Sequence, residues 1–116
     1  MTAFSVPEHA LSPRQVKAML DRGEIELIDV REPYEWEAGR IPGARHIELE
    51  RLAGRAASLP RDRTLVFQCR IGARSALATQ AFRASGWTAY NLEGGITAWV
   101  ESGLPIEPED GLVAEH

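Results

Sequence analysis

A chain of 116 residues and 12.8 kDa carries material for one domain, since compact domains cluster near about 100–150 residues. With 44% hydrophobic and 26% charged residues it has the balance of a globular protein, which excludes a disordered tail and a fibrous repeat. The formal net charge is −4, but residues 40–83 hold nine arginines against only Glu48, Glu50 and Asp62, so the remainder is strongly acidic. An acidic chain without a basic stretch interleaved with aromatics is a poor nucleic-acid binder, and a small anionic ligand suits the arginine forks better. A single cysteine excludes an internal disulfide framework and a multi-thiolate metal site. No apolar run approaches the ~18 residues that span a bilayer, and the first residues lack the basic-then-apolar order of a signal segment. The expected compartment is a reducing cytoplasm, with no membrane partner.

Ser12-Pro13-Arg14-Gln15 predicts a helix start, with Ser12 capping, Pro13 in the first turn and Gln15 closing a capping box. Val16, Met19 and Leu20 give that helix its apolar stripe, and Gly23 ends it. Residues 25–30 form a short apolar run expected of a buried strand, broken by Arg31-Glu32-Pro33. A helical turn over 34–38 ends at Gly39, a turn follows at 41–44, and a brief strand covers 45–47. Leu49, Leu52, Ala53 and Ala56 predict an amphipathic helix over 49–58 stopped by Pro60. The clearest strand is 64–68. An Ala-rich helix over 75–85 follows, closed by Gly86, then a strand over 88–92, the turn Gly94-Gly95 and a helix over 96–101 around Trp99. The tail from Glu107 is acidic and is expected to be loose.

Strands that alternate with helices predict an α/β fold with a mostly parallel sheet covered on both faces. Ligands of such sheets sit at the carboxyl ends of strands, which selects the loop after Gln68. That loop, residues 69–74, opens with Cys69 and leads into a helix. Its backbone N–H groups can converge on one point, backed by the positive end of the helix dipole, and so favour negative charge on sulfur. Gly72 lets the chain turn, and Arg70 and Arg74 add positive charge. A lone cysteine is more often a buried structural thiol, but this position is that of a reactive one.

Other cysteine chemistries lack their partners. His9, His46 and His116 carry no signature of a protease base, no His/Cys pair has metal-ligand spacing, and the loop lacks the ending of a phosphate-binding P-loop. Trp36 and Trp99 read as packing residues.

Four stretches resemble the rhodanese domain, a sulfurtransferase module. Leu27-Ile28-Asp29-Val30-Arg31-Glu32 is similar to its first signature and Gly39-Arg40-Ile41-Pro42-Gly43-Ala44 to its second, although Arg40 stands where the family often has His. Cys69-Arg70-Ile71-Gly72-Ala73-Arg74-Ser75 is similar to the active-site loop, and residues 91–99 to the closing segment. Their order covers about residues 7–105, leaving 106–116 as an acidic tail on a single domain of residues 1–116. The resemblance implies a three-layer fold with a central five-stranded, mostly parallel sheet and helices on both faces. It implies a double displacement in which Cys69 takes sulfane sulfur from a thiosulfate-like donor as a persulfide and passes it to a thiol, a protein thiol included, or to cyanide. Arg70, Ile71, Gly72, Ala73 and Arg74 would bind the substrate, both arginine side chains drawing in a dianionic donor. Asp29, Arg31 and Ser75 would support the loop, and no metal or organic cofactor is called for. Two other functions remain open: a catalytically quiet binding module, and phosphoester or arsenate chemistry on the Cys loop. The interval here is C-x4-R, one residue shorter than the C-x5-R of phosphatases that share the fold.

Overall fold

The computed structural model describes residues 9–116. Five strands, β1 (Ala10–Leu11), β2 (Ile25–Asp29), β3 (Arg45–His46), β4 (Thr64–Gln68) and β5 (Ala89–Leu92), form one sheet in the order β1-β5-β4-β2-β3. Every neighbouring pair is parallel, and β2 and β4 form its spine from Ile25↔Thr64 to Asp29↔Gln68. Parallel strands need crossovers, and four helices supply them, α1 (Pro13–Asp21), α2 (Pro33–Ala38), α3 (Leu49–Arg55) and α4 (Ala73–Ala84), while α5 (Gly95–Glu101) follows β5. The fold is thus α/β with a five-stranded parallel sheet, as the sequence leads one to expect.

Because side chains alternate along a strand, β2 and β4 feed two cores at once. Ile28, Leu65 and Phe67 join Leu52 of α3 and Ala78 and Phe82 of α4 on one face. Leu27 and Val66 join Val16 of α1 and Ile96 and Trp99 of α5 on the other. Strands buried on both faces have no polar side to show, which is why 25–30 and 64–68 read as nearly continuous apolar runs. Helix α1 starts as its sequence predicts: Ser12 Oγ accepts the Gln15 N–H at 3.2 Å, and Gln15 Oε1 accepts the Ser12 N–H at 2.8 Å.

Four details depart from the sequence reading. Strand β1 is unexpected, since two residues are too short to show alternation; it is defined by its pairing with β5 at Ala10↔Asn91. Helix α3 stops at Arg55 and passes into a 3₁₀ turn, Ala56–Ser58. Helix α4 begins at Ala73, so only residues 69–72 separate it from β4. The acidic tail is not loose. Arg40 and Glu107 exchange backbone hydrogen bonds of 2.9 and 2.8 Å, the Leu112 N–H donates to the Ala38 carbonyl at 2.9 Å, and Val113 packs on the Trp99 core. Acidic side chains say where the side chains point; backbone pairing decides whether the segment docks.

Removing residues 107–116 is expected to lower the unfolding free energy by about 2 kcal/mol, at roughly 0.5–1.5 kcal/mol for each backbone bond lost. Urea denaturation of the full and shortened chains measures it, and equal midpoints would show that the docked tail contributes nothing.

Candidate active site

Strand β4 delivers Cys69 to the carboxyl edge of the sheet, where it is 1% exposed. Its sulfur accepts the Gly72 N–H at 3.1 Å and the Ser75 N–H at 3.5 Å, with the Ser75 hydroxyl at 3.3 Å. Two of these donors belong to Gly72, the N-cap of α4, and to the first turn of that helix, so the helix dipole adds to them. Of the loop residues 69–74, Gly72 supplies one of these amides, and Ser75 just beyond the loop supplies the other. Gly72 reaches its position at φ +104°, a left-handed conformation that glycine adopts without strain.

The loop is aimed from outside. The Cys69 carbonyl accepts the Ile96 N–H at 2.9 Å, and the Arg70 carbonyl accepts the Thr97 N–H at 3.1 Å. With these two carbonyls held by the start of α5, the amides that follow are free to turn toward sulfur. The approach requires Gly95: a Cβ there would lie 2.3 Å from the Cys69 carbonyl oxygen and 2.6 Å from that of Arg70, at φ +61°. Gly95→Ala should therefore displace the loop while the sheet stays formed. The expected outcome is at least a tenfold slower alkylation of Cys69 by iodoacetamide with unchanged circular dichroism; an unchanged rate would mean that α5 does not shape the loop.

Asn91, a polar residue on otherwise apolar β5, is a site residue that the sequence reading missed. Its Nδ2 donates to the Gly72 carbonyl at 3.1 Å, and its Oδ1 accepts the Ser75 hydroxyl at 2.6 Å. Ser75 has one hydroxyl proton, and the shorter contact to Asn91 claims it, leaving the two backbone amides as the donors to sulfur. The available signal was the polarity itself, because a buried parallel strand has little reason to carry an amide.

Glu35 is the second missed residue, and it changes the role of Arg74. The Arg74 guanidinium donates twice to Glu35, Nη1 to Oε1 at 2.9 Å and Nη2 to Oε2 at 3.0 Å, while the Glu32 N–H reaches Oε1 at 2.9 Å. Glu35 is wholly buried and the Arg74 side chain is 18% exposed. Burial pushes the Glu35 carboxyl up, but the Arg74 hydrogen bonds, the Glu32 N–H and the charges of Arg74 and Arg31 outweigh it, holding the carboxyl below its usual range. Arg74 is raised in turn by its bonds to Glu35, against burial, with the charges of Glu35, Cys69 and Glu32 adding to the effect. Two of the Arg74 N–H donors expected to draw in a dianionic donor are thus held by the Glu35 carboxylate. Glu35 was legible only as the third residue of a capping box begun by Glu32.

Asp29 and Arg31 form a fully buried pair, Nη2 to Oδ2 at 2.7 Å and Nε to Oδ1 at 2.9 Å, and Arg31 Nη2 also donates to the Gly39 carbonyl at 2.9 Å. They brace the end of α2, which carries Glu35, and Asp29 also lies beside Gln68, the residue before Cys69. Arg70 is partly exposed and has no carboxylate partner among the described residues; Ile71 is exposed, and Ala73 is the first residue of α4. Trp36 stacks on His46 with ring centres 5.0 Å apart, and the Arg40 guanidinium lies 5.4 Å over Trp36. Trp99 is buried, its Nε1–H donating to the Pro105 carbonyl at 2.7 Å. The possible metal ligands among the described residues are the carboxylates of Glu32, Glu48 and Glu50, with ligand atoms within 4.8 Å of one another and Arg51 3.3 Å from Glu48. No helix among those residues is long and apolar enough to cross a membrane.

Residues 12–102 match the rhodanese-like domain family. The chain belongs to that family. It is 31% identical over 102 residues to the thiosulfate sulfurtransferase GlpE of Pseudomonas aeruginosa, covering 87% of this chain and 91% of that one. It is 41% identical over 99 residues to the probable adenylyltransferase/sulfurtransferase MoeZ of Mycobacterium tuberculosis, matching 82% of this chain but spanning only 25% of the relative. The crystal structure of a rhodanese-related protein from Thermoplasma volcanium superposes with a TM-score of 0.79 at 28% identity, covering 84% of this chain and 96% of that one. This chain is accordingly a rhodanese domain with sulfurtransferases among its relatives.

The Glu35 carboxyl titrates lower in the folded chain than in the unfolded one, so it contributes stability that is present above its ordinary value of 4.5 and is lost as pH falls through the folded value. The unfolding free energy of Glu35→Gln should therefore fall less steeply than that of the parent below about pH 4.5. Parallel curves in acid urea titrations would remove Glu35 from the acid-sensitive set.

Proposed function

We propose that this rhodanese domain carries sulfane sulfur from a thiosulfate-like anionic donor to a thiol or cyanide acceptor, with Cys69 as the nucleophile. The observation that carries the reading is the sulfur of Cys69 set against two backbone N–H groups at the start of α4, on the edge of the sheet where the fold places ligands. Those donors favour the thiolate, the form that attacks.

The thiolate attacks the outer sulfur of thiosulfate. The S–S bond of the donor breaks, its electron pair leaves on sulfite, and Cys69 holds a persulfide. An acceptor then attacks the outer sulfur of the persulfide, and the Cys69 thiolate is restored. Residues Arg70, Ile71, Gly72 and Ala73 line the space around that outer sulfur, where unpaired amides stabilise its charge. Arg70 draws in the anion, Arg74 anchors the start of α4 to Glu35, Ser75 and Asn91 hold the turn, and Asp29 and Arg31 fix the end of α2. Each step uses Cys69 and its two substrates, so the reaction proceeds without a metal or organic cofactor.

Loop length separates this chemistry from phosphate transfer. A tetrahedral phosphoryl group must be wrapped by donors on several oxygens, whereas a persulfide adds a single atom. Here three residues separate Cys69 from α4, and one further residue would lengthen the chain by up to ~3.5 Å.

Incubation with thiosulfate should add the mass of one sulfur to the intact protein, and Cys69→Ser should add none while keeping its circular dichroism. An unchanged mass in the parent, or aryl phosphate hydrolysis that disappears in Cys69→Ser, would overturn the assignment.

A further inference from the structure

We propose that Glu35 is a positioning residue that sets donor choice: by occupying Arg74 it makes the Cys69 loop favour a thiol persulfide over dianionic thiosulfate as sulfur donor. The inference rests on the sulfur-transfer reading and deepens it. It starts from charge. Two N–H donors of Arg74 lie on a carboxylate at 2.9 and 3.0 Å, and that carboxylate is fully buried, so solvent screens it little. Negative Glu35 opposes the field of Arg74, so the pair attracts an anion less than Arg74 alone would. Of the two arginines in the loop, Arg70 is left as the cation without a carboxylate partner among the described residues. The charge balance at the loop is therefore less positive than its two arginines alone would make it.

Donors differ in what they add to that balance. In the thiosulfate reaction, Cys–S⁻ and S–SO₃²⁻ give Cys–S–S⁻ and SO₃²⁻, with three negative charges gathered around the breaking bond. In the persulfide reaction, Cys–S⁻ and R–S–SH give Cys–S–SH and R–S⁻. The bond between the two donor sulfurs breaks, its electron pair leaves on R–S⁻, and only one negative charge is present; two are present when the donor is R–S–S⁻. A loop with a free Arg74 would compensate the more charged complex. This loop compensates it less, because Glu35 opposes the charge of Arg74.

The test is the second-order rate constant for loading sulfur onto Cys69, followed by rapid-quench intact mass with thiosulfate and with the persulfide of 2-mercaptoethanol, whose carrier group is uncharged. The parent should load faster from the persulfide; faster loading from thiosulfate would overturn the proposal. Glu35→Gln keeps an oxygen for the Glu32 N–H but removes the charge, so the persulfide-to-thiosulfate ratio should fall about tenfold at low salt, the size of one unit charge felt at roughly 10 Å. The change should shrink as salt rises. Damage to the loop would slow both donors and leave the ratio unmoved, which would count against the proposal. Arg74→Gln leaves the carboxylate uncompensated and should move the ratio the other way, and Glu35→Gln/Arg74→Gln should bring it back toward the parent value. These two variants decide the matter if Glu35→Gln alone does not fold; a double variant far from the parent ratio, or an Arg74→Gln shift toward thiosulfate, would overturn it. Failure of both donors to load the parent would instead overturn the sulfur-transfer reading itself.

Discussion

The site depends on two carbonyls being held away from it. A loop that presents its amides to a sulfur must dispose of its carbonyl oxygens, since a buried carbonyl without a partner costs on the order of 1–3 kcal/mol. Here Ile96 and Thr97, in the first turn of α5, take the Cys69 and Arg70 carbonyls. The same bonds satisfy amides that a helix start leaves without an intrahelical partner. One contact thus completes two irregular segments at once, and the Gly94-Gly95 turn exists to permit the approach. The closing stretch of the family, far from Cys69 in sequence, is for this reason a part of the active-site loop.

A second constraint is electrostatic. Asp29, Arg31, Glu35 and Arg74 alternate in sign from the end of β2 through α2 to the start of α4, and two of the bonds along the chain are bidentate ion pairs. Burying such charges is costly, and removing one partner of a buried pair typically destabilises by about 3–5 kcal/mol. Geometry is what they secure. A short helix of six residues packs little surface of its own, yet α2 must hold Glu35 within hydrogen-bond distance of Arg74. Arg31 fastens the far end of that helix through the Gly39 carbonyl, and the Glu32 N–H orients the carboxylate from the near end.

The legible part of the molecule was whatever local pattern dictates. The helices of 13–21 and 33–38, the two spine strands and the glycine stops follow from capping residues and apolar spacing, and Cys69 stood out by its place between a strand and a helix. The residues that hold its loop were not legible, because Glu35 and Asn91 reach Arg74, Gly72 and Ser75 from positions 34 and 22 residues away from Cys69 along the chain, through contacts that only the packed sheet creates. Strand β1 and the docked tail escaped for the same reason. Each is defined by a pairing partner, Asn91 for Ala10 and Arg40 for Glu107, and not by its own composition.

The arginine-rich segment shows how a charge count can mislead. Its nine arginines suggested an anion-binding face, but most of them serve the backbone or another side chain. Arg63 donates to the carbonyls of Gly23 and Ile25, Arg83 to that of Ala89, and Arg61 to that of Ser85 while lying 3.7 Å over the Trp87 ring. Arg40 covers Trp36, Arg51 meets Glu48, and Arg74 meets Glu35. Carbonyl oxygens at strand and helix ends are themselves partial negative charges, and a guanidinium satisfies several of them from one side chain. What remains for a ligand is set by subtraction. Arg45, Arg55 and Arg70 have no such partner among the described residues, and Arg70 alone of these stands next to Cys69 in the chain. A segment with six surplus positive charges therefore brings one guanidinium without a carboxylate partner to its cysteine loop, beside an Arg74 whose charge Glu35 offsets in part.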